Sequence, residues 1–307
     1  MGTRTRNNRK EKIVELLFLL PAFIIFTVFF VYPSGTSLFY SFTDWNGISK
    51  TFHFVGFDNF AKMFRTRDIF STIPVTLYYA LLNTIFMNVA GFLLALALNR
   101  KSRFTSTMRV SFFLPMLIAG IIVGFVFIEI YSPVLDAQEG NMGTLNAFLY
   151  LFGMDGLAQN WLGNPALTMV VVVLTGVWNS VGYTALIYLA NMQIIPKELY
   201  ESAEIDGAGY WRKTFTVTWR MVAPAFSINM TLLLINSLKQ YDMIAILTQG
   251  GPGTTTRVIN IAILDYSVSS YKVGLGCAMG VVVTLFVFAL VGTTNTMLRR
   301  RERETND

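Results

Sequence analysis

Two residue types are nearly missing from this sequence. There is one cysteine, Cys277, and one histidine, His53, in 307 residues. No disulfide can close within the chain. A metal centre usually needs three or four Cys, His or carboxylate ligands, and a nucleophile needs a base beside it. A single His in a polar loop and a single Cys in an apolar, glycine-rich stretch supply neither, which argues against an intramembrane enzyme. Cys277 reads as a small packing residue and His53 as a solvated loop residue. No G-x-x-x-x-G-K-[ST] phosphate loop is present. Any nucleotide energy must therefore be bound by another chain.

Charge is scarce too. Charged residues are 14% of the chain, against roughly 25% in soluble domains. What is abundant is apolar: 53% of residues are hydrophobic and the mean hydropathy is +0.51. A net charge of +6 invites a nucleic-acid reading. The bases argue against it, because they gather in clusters between apolar runs, the pattern of membrane topology.

A membrane-crossing helix needs about 20 apolar residues. Six runs qualify: 13–32, 74–98, 110–130, 167–190, 221–247 and 273–297. The first is too long for a signal-peptide core and no A-x-A site follows it, so it is expected as an uncleaved anchor. Basic residues orient the set. They cluster in the N-terminal stretch 1–12, at Arg100, Lys101, Arg103 and Arg109, at Lys197, Arg212, Lys213 and Arg220, and in the tail 299–307. The connection 133–165 has none, and it is too short to carry a large extracellular domain. The long loop 33–73 dissents with Lys50, Lys62, Arg65 and Arg67, but long loops weigh less. The expected arrangement is an all-α membrane protein. A permease domain spans 13–298, and both termini, 1–12 and 299–307, are cytoplasmic.

Between the fourth and fifth runs lies a polar island, ELYESAEIDGAGYWRKTF (Glu198–Phe215), with its acids first and its bases last. Glu198, Glu201, Glu204, Ile205 and Ala208 fall at helical spacing. Pro196 suits a helix start, and Gly207-Ala208-Gly209 permits a tight bend. A second short helix is expected from Trp211 to about Trp219. By composition alone this is a solvated loop with helical character. Tyr200, Ile205, Tyr210, Trp211 and Phe215 argue for more, because they could lie on the membrane or fill a partner's groove.

Polar residues inside membrane runs are functional candidates by default. A hydroxyl-rich solute crossing hydrocarbon needs hydrogen-bond partners, since an unpaired hydroxyl costs roughly 2–7 kcal/mol there. Trp178, Asn179, Ser180 and Tyr183 stand out in the fourth run. Asn236, Ser237, Gln240 and Tyr241 stand out in the fifth. Asn179 and Tyr183, Asn236 and Gln240, and Ser237 and Tyr241 are each four apart, on one face of a continuous helix. The plain alternative for each is a hydrogen bond between spans. Lys239 and Asp242, three apart, read as a mutually neutralising pair, with a gate or a charged-sugar contact as the sharper reading. Glu129 reads as interfacial.

The motifs resemble a known family. E-S-A-E-I-D-G-A (Glu201–Ala208), with Pro224 beyond it, resembles the EAA loop of ABC importer permeases. L-T-Q-G-G-P (Leu247–Pro252), S-F-T-D-W-N-G (Ser41–Gly47), F-V-G-F-D-N-F (Phe54–Phe60), F-F-L-P (Phe112–Pro115) and W-L-G-N-P (Trp161–Pro165) are similar to segments of its carbohydrate branch, the maltose-permease inner-membrane type. Two positions depart from the pattern: Ser202 replaces the first alanine, and Arg220 stands where the family often has proline.

The resemblance implies a type I ABC importer permease fold with six transmembrane helices in a bacterial plasma (inner) membrane. The loop 196–220 would carry a cytoplasmic coupling helix that docks on an ATPase. Its contacts would be Glu201, Ser202, Ala203, Asp206, Gly207 and Ala208. The implied partners are a second homologous permease subunit, an ABC ATPase dimer, an extracytoplasmic solute-binding protein, membrane lipid and a carbohydrate substrate, with no nucleic acid. ATP and Mg would sit on the ATPase, with no cofactor on this chain. Sugar-contacting positions would fall at Met116, Gly120, Tyr183, Leu233, Ser237 and Gln240. With the residues read from the spans, the candidate solute site is Met116, Gly120, Asn179, Tyr183, Leu233, Asn236, Ser237, Gln240 and Tyr241. The rivals are an ABC permease for another solute, such as glycerol phosphate, and an ion-driven secondary transporter. The second predicts an internal inverted repeat, and none is visible.

Overall fold

The computed structural model describes residues 8–99, 102–133 and 142–306. Residues 1–7 of the expected basic N-terminus lie outside them. So do Arg100, Lys101, residues 134–141 of the third connection and Asp307. The chain falls into two compact units, Met1–Thr66 with Ile263–Thr284, and Arg67–Ala262 with Leu285–Asp307.

In the first unit, α1 (Asn8–Phe26) continues through a π-helical turn (Thr27–Val31) into α2 (Tyr32–Tyr40). The apolar stretch Val14–Tyr40 is long enough to cross a membrane. Helix therefore runs past the expected end at Tyr32, with Pro33 following directly on the π-helical turn, a local adjustment that accommodates the missing N–H of a proline inside a membrane helix. Beyond it, Trp45 stacks on Tyr40, with ring centroids 4.1 Å apart. Asn59, on α3 (Asp58–Arg65), donates through Nδ2 to the carbonyls of Ser41 (3.0 Å) and Thr43 (2.7 Å). The exposed Asp44 accepts the His53 backbone N–H at 2.6 Å. That bond holds its carboxyl below the usual carboxylate range.

In the second unit, α4 (Arg67–Leu98) buries one stripe: Thr72, Thr76, Tyr79, Ala80, Asn83, Thr84, Met87, Asn88, Gly91 and Ala95. That three-four spacing is one helical face. It packs along α8 (Thr168–Met192). Small residues set the approach. A methyl on Gly91 would lie 2.5 Å from Thr184 Cγ2, and one on Gly182 would lie 2.4 Å from the Phe112 carbonyl oxygen. Hydrocarbon gives helices no hydrophobic reason to associate, so close packing and interhelical hydrogen bonds hold them. Tyr188 donates to Asn88 Oδ1 at 2.8 Å. Tyr131 and Thr175 share a hydroxyl bond at 3.0 Å.

Two expected spans are not single helices. The run 110–130 is α5 (Arg103–Phe113), a 3₁₀ turn (Pro115–Leu117) and α6 (Gly120–Ile130), bent by 101° at the break. Pro115 has no N–H to continue the ladder, and Ile118 and Ala119 are extended, with ψ of 128° and 137°. After α7 (Thr144–Leu151), α8 and α9 (Lys197–Ile205), the run 221–247 is broken twice. The segment from α10 (Tyr210–Lys213) to α11 (Trp219–Met221) meets α12 (Ala223–Leu238) at 66°, with Pro224 opening α12. The chain then leaves helix at Lys239–Tyr241 and resumes as α13 (Asp242–Thr248). Next come α14 (Ile259–Leu264) and α15 (Val273–Asn306). Among the described residues, four helices are long and apolar enough to span a membrane, or up to six if each bent pair is one span.

Candidate functional site

The breaks create the site. A broken helix leaves carbonyls without their ladder donors, and each buried one left unsatisfied costs about 1–3 kcal/mol. Asparagines close both gaps. Asn179 on α8 donates to the carbonyls of Pro115 (2.8 Å) and Ile118 (3.4 Å). Asn260 on α14 donates to those of Leu238 (3.1 Å) and Gln240 (3.2 Å). With these clamps in place, α4, the α5–α6 break, α8, the end of α12 and the start of α13 line an open cavity of about 480 Å³.

Eight of the nine expected solute-site residues line that cavity: Met116, Gly120, Asn179, Tyr183, Leu233, Asn236, Ser237 and Gln240. Tyr241 does not. It packs instead against the core around Met243, Ile244 and Met169. The helical-face pairing of Ser237 with Tyr241 is therefore corrected, because α12 ends at Leu238 and Tyr241 is outside any helix, with φ −138° and ψ −59°. The pairing of Lys239 with Asp242 is corrected for the same reason. No salt bridge joins them, whereas ion pairs among the described residues include Asp44–His53, Asp58–Lys62, Glu204–Lys213 and Asp68–Arg257. Asp242 lines the cavity.

Sequence reading missed the α4 contribution. Asn83 donates from Nδ2 to Ser237 Oγ at 2.8 Å, while its buried Oδ1 has no partner. Tyr79 and Thr184 also line the space. The available signal was a polar stripe, Thr76, Asn83, Thr84 and Asn88, inside the membrane run 74–98. Gly176 faces the same space: a Cβ there would lie in ordinary contact, 3.5 Å from Asn83 Oδ1 and 3.9 Å from the Tyr79 hydroxyl. Tyr183 and Asn236 are exposed to the cavity side, whereas Ser237 is 2% exposed and held by Asn83.

The polar island forms a second, surface feature. Pro196 precedes α9, and Gly207 ends it in the left-handed region at φ +73°. This is the position one residue past a helix C-cap that favours glycine. The Gly207 and Ala208 amides return to the carbonyls of Glu204 and Ala203, both at 2.9 Å. A salt bridge from Lys213 to Glu204 and a hydroxyl bond from Tyr200 to Thr218 (3.0 Å) fasten the elbow. The expected second helix, 211–219, is α10, a π-helical turn (Thr214–Thr218) and α11. Glu201, Ser202, Asp206 and Gly207 are exposed, while Ala203 and Ala208 are half-buried. Ser202, Ala203 and Asp206 share a separate cavity of about 430 Å³ with Arg220 and Pro224; Glu201, Gly207 and Ala208 do not line it. Ile205 is 87% exposed and Trp211 and Phe215 more than 60%. Burying one such side chain is worth about 1.5–3 kcal/mol, so this surface favours a partner or a lipid face.

Comparison with known proteins places these features in context. A family model described as "Binding-protein-dependent transport system inner membrane component" matches residues 87–304. The probable starch degradation products transport system permease protein AmyD of Thermoanaerobacterium thermosulfurigenes is 30% identical over 299 residues, covering 96% of this chain and 97% of that protein. The diacetylchitobiose uptake system permease protein NgcF of Streptomyces coelicolor is 34% identical, over 94% of this chain and 84% of that protein. In fold, the chain is similar to one in the crystal structure of a bacterial alginate ABC transporter in complex with an alginate pentasaccharide-bound periplasmic protein. The TM-score is 0.82 at 24% identity, covering 98% of this chain and 99% of that one.

Proposed function

Because the chain belongs to the binding-protein-dependent transport system inner membrane component family, a family of non-catalytic transport subunits, we propose that it is the permease of an ATP-driven importer for a sugar or oligosaccharide. The observation that carries the reading is the cavity. Its walls offer amide and hydroxyl groups (Asn83, Asn236, Ser237, Gln240, Tyr183) beside apolar Met116 and Leu233. This is the mixture that a hydroxyl-rich solute needs in place of water. The sugar relatives AmyD and NgcF point the same way.

In this reading the solute site is Met116, Gly120, Asn179, Tyr183, Leu233, Asn236, Ser237 and Gln240. Asn179 serves mainly to hold the α5–α6 break open, and Tyr241 supports from the core side. A soluble binding protein delivers the sugar from outside, and a second, homologous permease completes the passage. Both termini and the α9–α11 segment face the cytoplasm, where the basic clusters favour them. There α9 acts as the coupling helix on an ATPase dimer that binds ATP and Mg. Glu201 is the charged anchor. Ser202, Ala203 and Asp206 shape the adjoining cavity, and Gly207 with Ala208 lets the elbow turn. ATP binding and hydrolysis on the partner would move α9, and the bent spans would alternate between inward and outward access. Lys239 lies outside the cavity lining, which disfavours a phosphorylated solute, since a phosphate wants bases facing its path.

The test is tagged purification of the chain from its own membrane in mild detergent. A second permease with an EAA-type loop and a P-loop ATPase are expected to come with it, and the assembly should take up a sugar only with ATP. Recovery of the chain alone, or as a homodimer moving solute without ATP, contradicts the reading.

A further inference from the structure

The cavity holds one acidic side chain, Asp242, and no Lys, Arg or His is among the described residues lining it. Lys239, three residues back, makes no salt bridge to it. The rest of the polar lining is uncharged: Asn83, Asn236, Ser237, Gln240 and Tyr183 among others. One further acceptor stands close by. Asn83 gives one of its two amide hydrogens to Ser237, and its Oδ1 is buried without a donor. The uncharged lining therefore offers both donors and acceptors, while the one acidic side chain faces no cation among the described residues lining the cavity. A sugar hydroxyl can donate to it, and an ammonium can pair with the carboxylate. A sugar carboxylate would bring a second negative charge beside the Asp242 carboxylate, with no cation of the described lining to offset the repulsion.

We propose that Asp242 is a specificity-determining residue, which makes this cavity one for uncharged or amino-bearing sugars and excludes uronic acids. The inference rests on the carbohydrate reading above. It also separates fold from charge preference: alginate, the cargo named for the similar structure, is a polyuronate. The break at Lys239–Tyr241 is what makes the role possible, since it turns Asp242 into the first residue of α13, bordering the cavity. An acid at that position also suits the α13 helix start. A merely structural role would therefore leave the charge preference of the site unmoved.

The experiment uses the purified membrane complex without its soluble binding protein, so that the binding protein's own preference is absent. Equilibrium binding is measured for three trisaccharides of one linkage: a neutral hexose trimer, its 2-amino counterpart and its C6 uronate. The uronate is expected to bind at least about tenfold more weakly than the neutral trimer, a difference worth about 1.4 kcal/mol. In Asp242→Asn that ratio should shrink to about threefold or less, and in Asp242→Glu, which keeps the charge, it should stay as in the parent. Should Asp242→Asn fail to assemble, Asp242→Ser, which also removes the carboxylate, takes its place with the same expected ratio. Uronate binding as tight as neutral binding in the parent, or an unchanged ratio in Asp242→Asn, overturns the role of Asp242 and leaves the sugar reading intact. Binding of none of the three overturns both.

Discussion

The cavity and the α9–α11 elbow are built on opposite plans. The cavity is assembled from four stretches far apart in sequence, and its shape depends on two broken helices whose carbonyls are clamped by Asn179 and Asn260. The elbow is one contiguous stretch. It is closed by local amide bonds and one left-handed glycine, and its apolar tips at Ile205, Trp211 and Phe215 are turned outward. The first is a site made by tertiary structure, and the second is a site made by local structure for something else to grip. Changes in one should therefore leave the other's readout alone, and that separation can be tested.

The largest expected effect is Glu201→Lys. It reverses an exposed charge, and surface changes of this kind move stability by about ±0.5 kcal/mol. ATP-driven uptake is expected to fall to background while sugar binding to the purified complex stays at the parent level. Loss of binding as well would break the separation. Gly207→Pro should give the same uptake result, because proline holds φ near −65° where the elbow has +73°. Normal uptake by both variants, at normal expression, would sink the coupling role.

Next in size is the clamp. Asn179→Ala strips the donor from Pro115 and Ile118, at a cost of about 1–3 kcal/mol. The thermal midpoint in detergent should drop by several degrees, with sugar binding lost along with it. Asn260→Ala should behave alike through Leu238 and Gln240. An unchanged midpoint in both would mean that the breaks hold without these amides.

The smallest effect sharpens the boundary of the cavity. Tyr183→Phe removes a hydroxyl from the lining, and one hydrogen bond is worth about 0.5–1.5 kcal/mol, so sugar affinity should fall a few-fold. Tyr241→Phe, outside the lining, should leave affinity unchanged. Equal effects from both would move Tyr241 back into the site.

The elbow was the more legible of the two from sequence, because everything it needs lies within one stretch. Pro196 before the helix, acids in its first turns and Gly207 at its end can be read in order. The cavity was legible only in part. Polar residues such as Tyr183, Ser237 and Gln240 inside apolar runs, together with the family resemblance, pointed at its lining. Helical spacing misled beyond Leu238, since periodicity assumes a helix that continues, and a break re-aims every residue after it. Hence Tyr241 went to the core, and Lys239 and Asp242 parted. Asn83 and Asn260 were missed for a different reason: their importance comes from what faces them across 154 and 22 residues of chain, and no local pattern shows that.

The central claim is that the sugar passes through this cavity. Gly120 gives the most direct test. It opens α6 at the cavity wall, and a Cβ there would meet nothing within 4 Å. A side chain there starts into open space, so Gly120→Trp is expected to fill the passage. The predicted result is that the permease still recovers its ATPase and second subunit at parent levels, while ATP-driven sugar uptake stops. Uptake at the parent rate, with tryptophan occupying the cavity, would contradict the account.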